Sequence, residues 1–209
     1  MRATGGSDLG LGELKDIGQV LAGLKEGKAK EYTVVAVLGG KDSGKTGLIN
    51  KFTHGTWEPT TTTKRFLDIQ SGSLDIRGKK IQVVTCEYAG SGEFRLVQKT
   101  MFPPTKSVPV KCMLTIDLNR KESQTDLLQV VDSLVVPRLN SKSPPESYAL
   151  VGCKSDLKKN ITPAEANSFA NALSEKMRKP IQYIETSAKE GKNILEAFEL
   201  AITRGTSQK

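Results

Sequence analysis

The chain has 209 residues, of which 37% are hydrophobic, and this suits one globular domain with a core of ordinary size. Its net charge of +8 favours anionic partners such as nucleotides, acidic protein surfaces or anionic lipid. The lysines are spread along the chain without interleaved aromatic residues that would stack bases, so we expect no binding to nucleic acid.

The three cysteines are widely spaced and form no Cys-x-x-Cys pair of the kind that binds metal. Cys86, Cys112 and Cys153 each lie in an apolar run typical of a strand, which predicts buried free thiols and a reducing compartment. The chain shows no signal peptide and no run of about 18 apolar residues. We therefore expect a soluble, cytoplasmic protein.

Residues 1–30 are expected to form an N-terminal arm. Residues 1–12 are rich in glycine and small polar residues, which is typical of flexible chain. Leu14, Ile17, Leu21 and Leu24 then recur at the spacing of a short amphipathic helix. This helix could cap the domain, bind a partner or lie on a membrane. Packing on the domain is favoured, because isolated helices of this length are marginal in water.

Residues 31–204 alternate short β-branched runs with longer helical patterns, which predicts an α/β domain with a mostly parallel sheet. Strands are predicted at residues 33–38, 66–76, 80–87, 110–117, 148–152 and 181–185. The second and third strands are separated by Arg77, Gly78 and Lys79, which indicates an antiparallel hairpin.

Helices are predicted at residues 45–52, 125–139, 163–177 and 193–204. The third begins with Thr162, Pro163 and Glu165 in the pattern of a capping box that has proline at the first helical position. In the last helix, four apolar side chains are expected to face inward: Ile194, Leu195, Phe198 and Ile202. Residues 205–209 are expected to be a flexible tail.

A glycine-rich stretch follows the first strand and opens the first helix. Its residues are Gly39, Gly40, Lys41, Asp42, Ser43, Gly44, Lys45 and Thr46. They match the phosphate-binding loop at every fixed position, and we count Gly47 in the binding set as well. Glycines allow the loop amides and the positive end of the helix to wrap a β-phosphate. Lys45 then reaches the β- and γ-phosphate oxygens, and Thr46 offers its hydroxyl to Mg²⁺.

Two later segments predict that the base is guanine. Lys154 and Asp156 follow an apolar strand, which puts the Asp156 carboxylate at the ligand-facing edge of the sheet. That carboxylate can accept hydrogen bonds from guanine N1 and the exocyclic amine, a pairing that adenine cannot supply. After the next strand come Ser187, Ala188 and Lys189, where the Ala188 amide could donate to the guanine carbonyl.

Together these motifs resemble the Ras superfamily of small GTPases, with Rab-like members nearest, from about residue 32 to residue 204. The resemblance is carried by the phosphate loop, by Cys-Glu-Tyr-Ala-Gly at 86–90, by Cys-Lys-Ser-Asp at 153–156 and by Glu-Thr-Ser-Ala-Lys at 185–189. It implies the fold of a P-loop NTPase, with a six-stranded, mostly parallel sheet flanked by helices. It also implies GTP or GDP with Mg²⁺ as cofactors, and effector, exchange-factor or GTPase-activating proteins as partners.

The resemblance implies further Mg²⁺ ligands in addition to Thr46. They are Glu87, which stands where the family has an aspartate and could hold Mg²⁺ through water, and one threonine of residues 60–63. Spacing favours Thr63 or Thr62 for that threonine and does not decide between them. A solvated loop without a ligand role is the alternative for these threonines.

Three further departures from the family concern hydrolysis and affinity. Ser91, after Gly90, replaces the glutamine that orients the attacking water, and its short side chain should reach that water poorly. Lys41 replaces a small residue, so its side chain could crowd or contact the γ-phosphate. Cys153 replaces the asparagine that ties the base-reading loop to the phosphate loop, which puts guanine affinity in doubt.

We therefore expect a GTP/GDP molecular switch with slow intrinsic GTP hydrolysis, in which Lys45, Gly90 and Ser91 form the catalytic set. The alternative is a pseudo-GTPase, an interaction module that keeps the fold without efficient hydrolysis or switching. A P-loop kinase for a small molecule is disfavoured because the sequence shows no arginine-rich lid. His54 is expected at the surface, and Trp57 in internal packing or in a partner surface.

Lipid attachment is not expected. The chain ends without the cysteines used for prenylation, and Arg2 excludes N-myristoylation. Membrane contact should therefore be indirect or depend on the helix predicted at residues 14–24.

Overall fold

The computed structural model describes residues 32–59, 67–103 and 109–203. The helix predicted at residues 14–24, the threonines Thr62 and Thr63, and the tail at residues 205–209 lie outside the described residues. In the ranges that the structure describes, no helix is long and apolar enough to cross a membrane.

The described ranges contain a six-stranded sheet with the order β2-β3-β1-β4-β5-β6. Its strands are β1 (Tyr32–Gly39), β2 (Leu67–Ile76), β3 (Lys79–Tyr88), β4 (Val110–Asp117), β5 (Ser147–Cys153) and β6 (Ile181–Glu185). β2 pairs antiparallel with β3, and the other neighbouring strands are parallel. The predicted fold class is confirmed. Since the strand order reverses at β1, the carboxyl end of β1 is the expected ligand crevice.

The predicted hairpin is present, with a tighter turn than expected. Arg77 and Gly78 have φ angles of 55° and 76°, the positive values of a two-residue turn that follows the strand twist. Asp75 Oδ1 accepts a hydrogen bond from the Gly78 amide at 2.9 Å. Two residues complete the reversal, and Lys79 therefore belongs to β3, where it pairs with Ile76.

The helices are α1 (Lys45–His54), α2 (Arg95–Met101), α3 (Glu122–Val130), α4 (Pro163–Met177) and α5 (Ile194–Thr203). The sequence pattern did not predict α2, because it has only 7 residues and its Leu96 is 78% exposed, so no apolar stripe marks it. The predicted start of α3 at residue 125 is wrong, since the helix begins at Glu122. It continues through a π-helical turn (Val131–Val135) and a 3₁₀ turn (Val136–Arg138).

The prediction for α4 is confirmed, including its first turn. Thr162 Oγ1 accepts a hydrogen bond from the Glu165 amide at 3.2 Å, and Glu165 Oε2 accepts one from the Thr162 amide at 2.7 Å. In α5, the prediction that Leu195 faces inward is wrong, since Leu195 is 53% exposed. The buried stripe follows a helical repeat from Ile194 through Phe198 to Ile202, and Leu195 lies about 100° around the helix from Ile194.

Two apolar cores lie on opposite faces of the sheet. Val34, Ala36 and Leu38 of β1 face the core that includes α3 and α4, while the alternate side chains of β1 face the core that includes α1 and α5. In the second core, the rings of Phe52 and Phe198 stack with their centroids 3.9 Å apart. The three cysteines are buried and free, as predicted. The sheet thus holds β1, and with it the loop that follows, between two packed layers.

Candidate functional site

The predicted phosphate loop leaves the carboxyl end of β1 in a strained, compact path. Asp42 and Gly44 have φ angles of 59° and 101°, in the left-handed region. A side chain at Gly44 would also collide with the end of β5, because its Cβ would lie 2.6 Å from the Cβ of Cys153. Glycine is therefore required at residue 44 for both conformation and space.

The Lys45 side chain folds back over the start of this loop, at Gly39 and Gly40. Its Nζ donates to the carbonyl oxygens of Gly40 at 2.7 Å and Gly39 at 3.3 Å, and lies 3.4 Å from Ser43 Oγ. The residue is only 5% exposed. Burial lowers the pKa of the Lys45 ammonium, and the nearby Glu87 carboxylate opposes that shift. A buried cation fixed by carbonyl dipoles is well placed to take an anionic ligand.

Two of the predicted metal ligands meet beside the loop. Thr46 Oγ1, in the first turn of α1, donates to Glu87 Oε1 at 2.6 Å. Glu87 lies near the end of β3 and is 2% exposed. Hydroxyl and carboxylate oxygens are ligands that Mg²⁺ prefers, so this donor pair fits the cation that the sequence implies. The other two candidates, Thr62 and Thr63, lie outside the described residues.

Gly90 brings the end of β3 against the phosphate loop. A Cβ at residue 90 would lie 2.2 Å from the carbonyl carbon of Gly40 and 2.3 Å from the amide nitrogen of Lys41. Ser91 follows, half-buried, and precedes the 3₁₀ turn Gly92–Phe94. The structure therefore places Gly90, a member of the predicted catalytic set, directly beside the loop, and Ser91 is the next residue along the chain.

The two predicted base-reading segments are joined to each other. Asp156 Oδ1 accepts a hydrogen bond from Ser187 Oγ at 2.6 Å, and the Ser155 amide donates to the Thr186 carbonyl at 3.0 Å. Ser187 is fully buried. A buried hydroxyl that donates to the carboxylate fixes its orientation, so Asp156 is held ready to accept from a ligand through its remaining lone pairs.

Trp57 lies between two of the predicted binding segments. We expected it in packing or in a partner surface. In the structure, a Cβ at Gly47 would lie 3.5 Å from Trp57 Cδ1 and 3.6 Å from the Ala188 Cβ. The Lys189 ammonium is 5.9 Å from the centre of the indole ring. The ring thus borders both the phosphate-loop helix and the base-reading segment. His54 is exposed, as expected.

Lys154 links the base-reading loop to the phosphate loop. Its Nζ donates to the Asp42 carbonyl at 2.7 Å and to Asp117 Oδ2 at 2.8 Å. The sequence analysis did not select Asp117. The one signal for it was an acidic residue at the carboxyl end of a buried strand, which is also common among residues without any ligand role.

Comparison with known proteins identifies the family of the chain. The sequence profile of the Ras family matches residues 34–206. The chain belongs to the Ras family. It is similar to the Ras-related protein RABA5a of Arabidopsis thaliana, with 26% identity over 182 residues that cover 85% of this chain and 76% of that protein. It is also similar to the Ypt/Rab-type GTPase ypt7 of Schizosaccharomyces pombe, with 26% identity over 176 residues that cover 83% of this chain and 82% of that protein.

A third relative is longer than this chain. The Ras-related protein Rab-12 of Homo sapiens is 26% identical over 169 residues, which cover 78% of this chain and 63% of that protein. This chain therefore spans less than two thirds of Rab-12. The Ras-family match and these Rab and Ypt relatives make the chain a small GTP-binding protein of the Ras type.

Two departures from the Ras-family pattern now have a structural context. Cys153 is 4% exposed, and its Cβ packs against the Gly44 backbone. Burial raises the pKa of its thiol to about 12, so the side chain is neutral in this small GTPase at ordinary pH. Lys41 is exposed, and its carbonyl accepts a hydrogen bond from Arg120 Nη1 at 3.4 Å. The Lys41 side chain therefore lies in solvent and does not pack in the core.

Proposed function

We propose that this small GTPase is a GTP/GDP molecular switch with slow intrinsic hydrolysis. The observation that carries the proposal is the contact between the base-reading loop and the phosphate loop, the two parts of a nucleotide site. The loop that holds Asp156 beside Ser187 also reaches the phosphate loop through Lys154, at 2.7 Å from the Asp42 carbonyl. A ligand with a purine at one end and phosphates at the other fits that arrangement.

Phosphate binding falls to the loop amides of residues 40–46, to the Lys45 ammonium and to the start of α1. The positive φ angles of Asp42 and Gly44 turn successive amides toward one side, as in an anion nest. The Lys45 ammonium donates to carbonyl and hydroxyl oxygens, and the charged oxygens of a phosphate would be stronger partners. Gly47 lies one residue further along the helix.

Thr46 and Glu87 would hold Mg²⁺, with the Glu87 carboxylate acting directly or through water. Bound Mg²⁺ would supply positive charge to the phosphate oxygens. The hydrogen bond between the two side chains places their oxygens 2.6 Å apart, close enough to serve one cation. Thr62 or Thr63 completes the proposed set of ligands.

Base selection falls to Asp156, supported by Ser187, Ala188 and Lys189. The Asp156 carboxylate accepts from the guanine N1 and amino group, and an adenine ring offers neither donor in those positions. Trp57 lies beside Gly47 and Lys189, next to these residues.

Slow hydrolysis follows from the residue after Gly90. Ser91 has one short hydroxyl where the family carries a longer amide, so it orients an attacking water poorly. The catalytic contribution is then limited to Lys45, which stabilises charge on the phosphate oxygens, and to the Gly90 amide beside the loop.

A pseudo-GTPase is the second candidate, and the anchoring of α2 favours it. Gln98 Nε2 donates to the Ala89 carbonyl at 2.8 Å, and Tyr88 OH donates to the Met101 carbonyl at 2.9 Å. Arg138 Nη2 donates to the Lys99 carbonyl at 2.7 Å. Three side chains thus fasten the helix that follows the catalytic residues, and a fastened helix suits a fixed interaction module.

The deciding experiment identifies the nucleotide and follows it over time. Freshly purified protein is denatured and any released nucleotide is identified by chromatography, and added GTP is then followed with Mg²⁺ over hours. Guanine nucleotide with slow GDP formation supports the switch, whereas GTP that stays intact supports the pseudo-GTPase. A protein that binds no guanine nucleotide rejects the first proposal.

A Lys45→Ala variant is the matched control for this experiment. The substitution removes the cation that faces the phosphates, so we expect guanine-nucleotide affinity to fall by on the order of a hundredfold or more. Affinity is measured by calorimetry with GDP and Mg²⁺. Equal affinity in the variant and the wild type would mean that the nucleotide sits elsewhere.

A further inference from the structure

One buried carboxylate beside the site has no part in the chemistry proposed above. Asp117 ends β4, and its side chain is 3% exposed. Its Oδ2 accepts from Lys154 Nζ at 2.8 Å, and its Oδ1 accepts from the Asn119 amide at 2.9 Å. The Asp117 amide in turn donates to Ser123 Oγ at 2.8 Å, so the residue is fixed at both its main chain and its side chain.

The lysine that Asp117 binds is held in an unusual conformation. Lys154 has a φ angle of 61°, a left-handed value that costs a non-glycine residue free energy. Its long side chain also loses rotamer freedom when its ammonium is fixed. A strong interaction partner is needed to offset both free-energy costs. A buried carboxylate is a stronger partner for the ammonium than a carbonyl dipole, because opposite charges attract strongly in a medium of low dielectric constant.

Three segments meet at the Lys154 ammonium. They are the end of β4 through Asp117, the phosphate loop through the Asp42 carbonyl, and the base-reading loop that carries Lys154 itself. The distance between the last two decides whether the purine and the phosphates of one ligand can both be seated. Asp117 therefore affects the distance between the two ligand-binding loops, although it is not one of the predicted binding residues.

Cys153, the residue before Lys154, contacts the same loop in a different way. Its Cβ and Sγ pack against Gly44, and its thiol lies 4.0 Å from the Val151 carbonyl in its own strand. Among the described residues, the contact from Cys153 to the phosphate loop is thus one of packing. The polar link from this loop is the one made by Lys154.

We propose that Asp117 is a positioning residue for guanine-nucleotide binding, which acts by holding Lys154 so that the base-reading and phosphate loops keep a fixed spacing. The inference rests on the proposed function, since it assigns a residue to the same site. Its consequence is kinetic. With the loops held together, bound GDP leaves slowly, and loosening the Asp117–Lys154 pair speeds its departure.

The test measures GDP dissociation in a double-mutant cycle. Asp117→Asn keeps the shape of the side chain and removes its charge, and Lys154→Met keeps the alkyl chain and removes the ammonium. Each protein is loaded with a fluorescent GDP, and the release rate is followed after excess unlabelled GDP is added. We expect Asp117→Asn to raise the release rate roughly tenfold.

The double variant separates positioning from a general structural role. If Asp117 acts through Lys154, the double variant releases GDP no faster than Lys154→Met alone, because the pair is already broken. Effects that multiply in the double variant would overturn the inference. So would an unchanged release rate in Asp117→Asn.

Glu146→Gln is the matched control. Glu146 forms an ion pair with Lys111 at the opposite end of β4, where neither predicted loop is in contact. Losing that pair should lower the thermal stability of the protein and leave the GDP release rate unchanged. A rise in release rate equal to that of Asp117→Asn would make the effect one of general destabilisation and would overturn the inference.

Lys154→Arg provides a second measurement if Asp117→Asn does not fold. The guanidinium keeps the charge but cannot place one compact donor on both acceptors, so GDP release should accelerate. An unchanged rate in Lys154→Arg would count against the inference. Failure of the wild type to bind GDP rejects the proposed function, whereas binding with an unaltered rate in these variants rejects the role of Asp117 alone.

Discussion

Gly90 shows how a single missing side chain shapes the site. The Gly40 carbonyl carbon would lie 2.2 Å from a Cβ at residue 90, and main chain cannot move aside as a flexible side chain can. Gly90→Ala should therefore lower the free energy of unfolding by about 2 to 3 kcal/mol, as measured by urea denaturation. Gly92→Ala is the control, because a Cβ there meets nothing within 4 Å, and its effect should be within about 0.5 kcal/mol.

Ser91 is the position where hydrolysis can be restored. It follows Gly90 beside the loop, and a longer side chain carrying both a donor and an acceptor would reach a water that serine does not. We expect Ser91→Gln to raise the single-turnover rate of GTP hydrolysis on the order of tenfold. Ser91→Ala should leave the rate unchanged. A rate in Ser91→Gln equal to that of the wild type would point to Lys41 as the limiting residue.

At the residue scale, the sequence predicted what depends on local spacing and missed what depends on the fold. Lys45 and Thr46 follow a glycine pattern within eight positions, and that pattern alone dictates an anion-binding turn. Asp117 and Trp57 belong to other segments, and they reach the site only because strands and loops distant in sequence meet at one edge of the sheet. A single aspartate at the end of a strand carries no such information.

Helix α4 is the element for which sequence chemistry and structure agree most closely. Its capping box supplies partners to amides that a helix end otherwise leaves unsatisfied. Thr162→Ala removes the acceptor for the Glu165 amide, and we expect a loss of about 1 kcal/mol in the free energy of unfolding. Thr162→Ser keeps a hydroxyl and should lose much less. Urea denaturation of both variants checks the difference, and equal losses would mean that the cap contributes nothing.

Elements with weak signals were predicted less well, for identifiable reasons. α2 is held by hydrogen bonds from the side chains of Gln98, Tyr88 and Arg138. These bonds join the helix to other parts of the chain, and no apolar stripe in its own sequence announces it. α3 begins early because Ser123 Oγ accepts from the Asp117 amide and thereby draws the first turn toward the end of β4. Neither interaction can be inferred from periodicity. Strand positions were predicted well, because continuous apolar runs are typical of parallel strands buried on both faces.

Three thiols buried in the sheet make the whole molecule sensitive to alkaline pH. Burial raises the pKa of Cys86 from 9.0 to about 12, so the folded protein keeps a proton that the unfolded chain releases. The stabilisation is complete below about pH 9 and is lost as pH rises toward the folded pKa, by roughly 1.4 kcal/mol per pH unit for each thiol. We expect the free energy of unfolding to fall steeply in that window.

The Cys86→Ala variant isolates one thiol in this effect. It should be less stable than the wild type near pH 8, because it leaves a small cavity, and the difference should shrink as pH rises above about 9. Val84→Ala is the control, since Val84 lies in the same strand and core but does not titrate. A constant difference for both variants across the pH range would show that Cys86 does not carry the effect.

The whole fold was predictable because its regularities are spread over the entire chain. Alternating strand and helix patterns fixed the α/β class, and the hairpin before a series of parallel strands fixed the single antiparallel edge. The placement of β1 at the centre, between β3 and β4, has no local signature, and the sequence analysis made no prediction of strand order. The sequence pattern thus predicted the fold class, and the strand order is seen in the structure alone.

The stacked rings of Phe52 and Phe198 have a consequence for biosynthesis. A ribosome delivers the chain from its N-terminus, so α1, the helix behind the phosphate loop, emerges before its packing partner α5 has been synthesised. Until Phe198 leaves the exit tunnel, one face of α1 stays exposed to solvent. The core around α1 is therefore completed only after α5 has emerged, and the exposed face of α1 is the surface that a chaperone would contact during that interval.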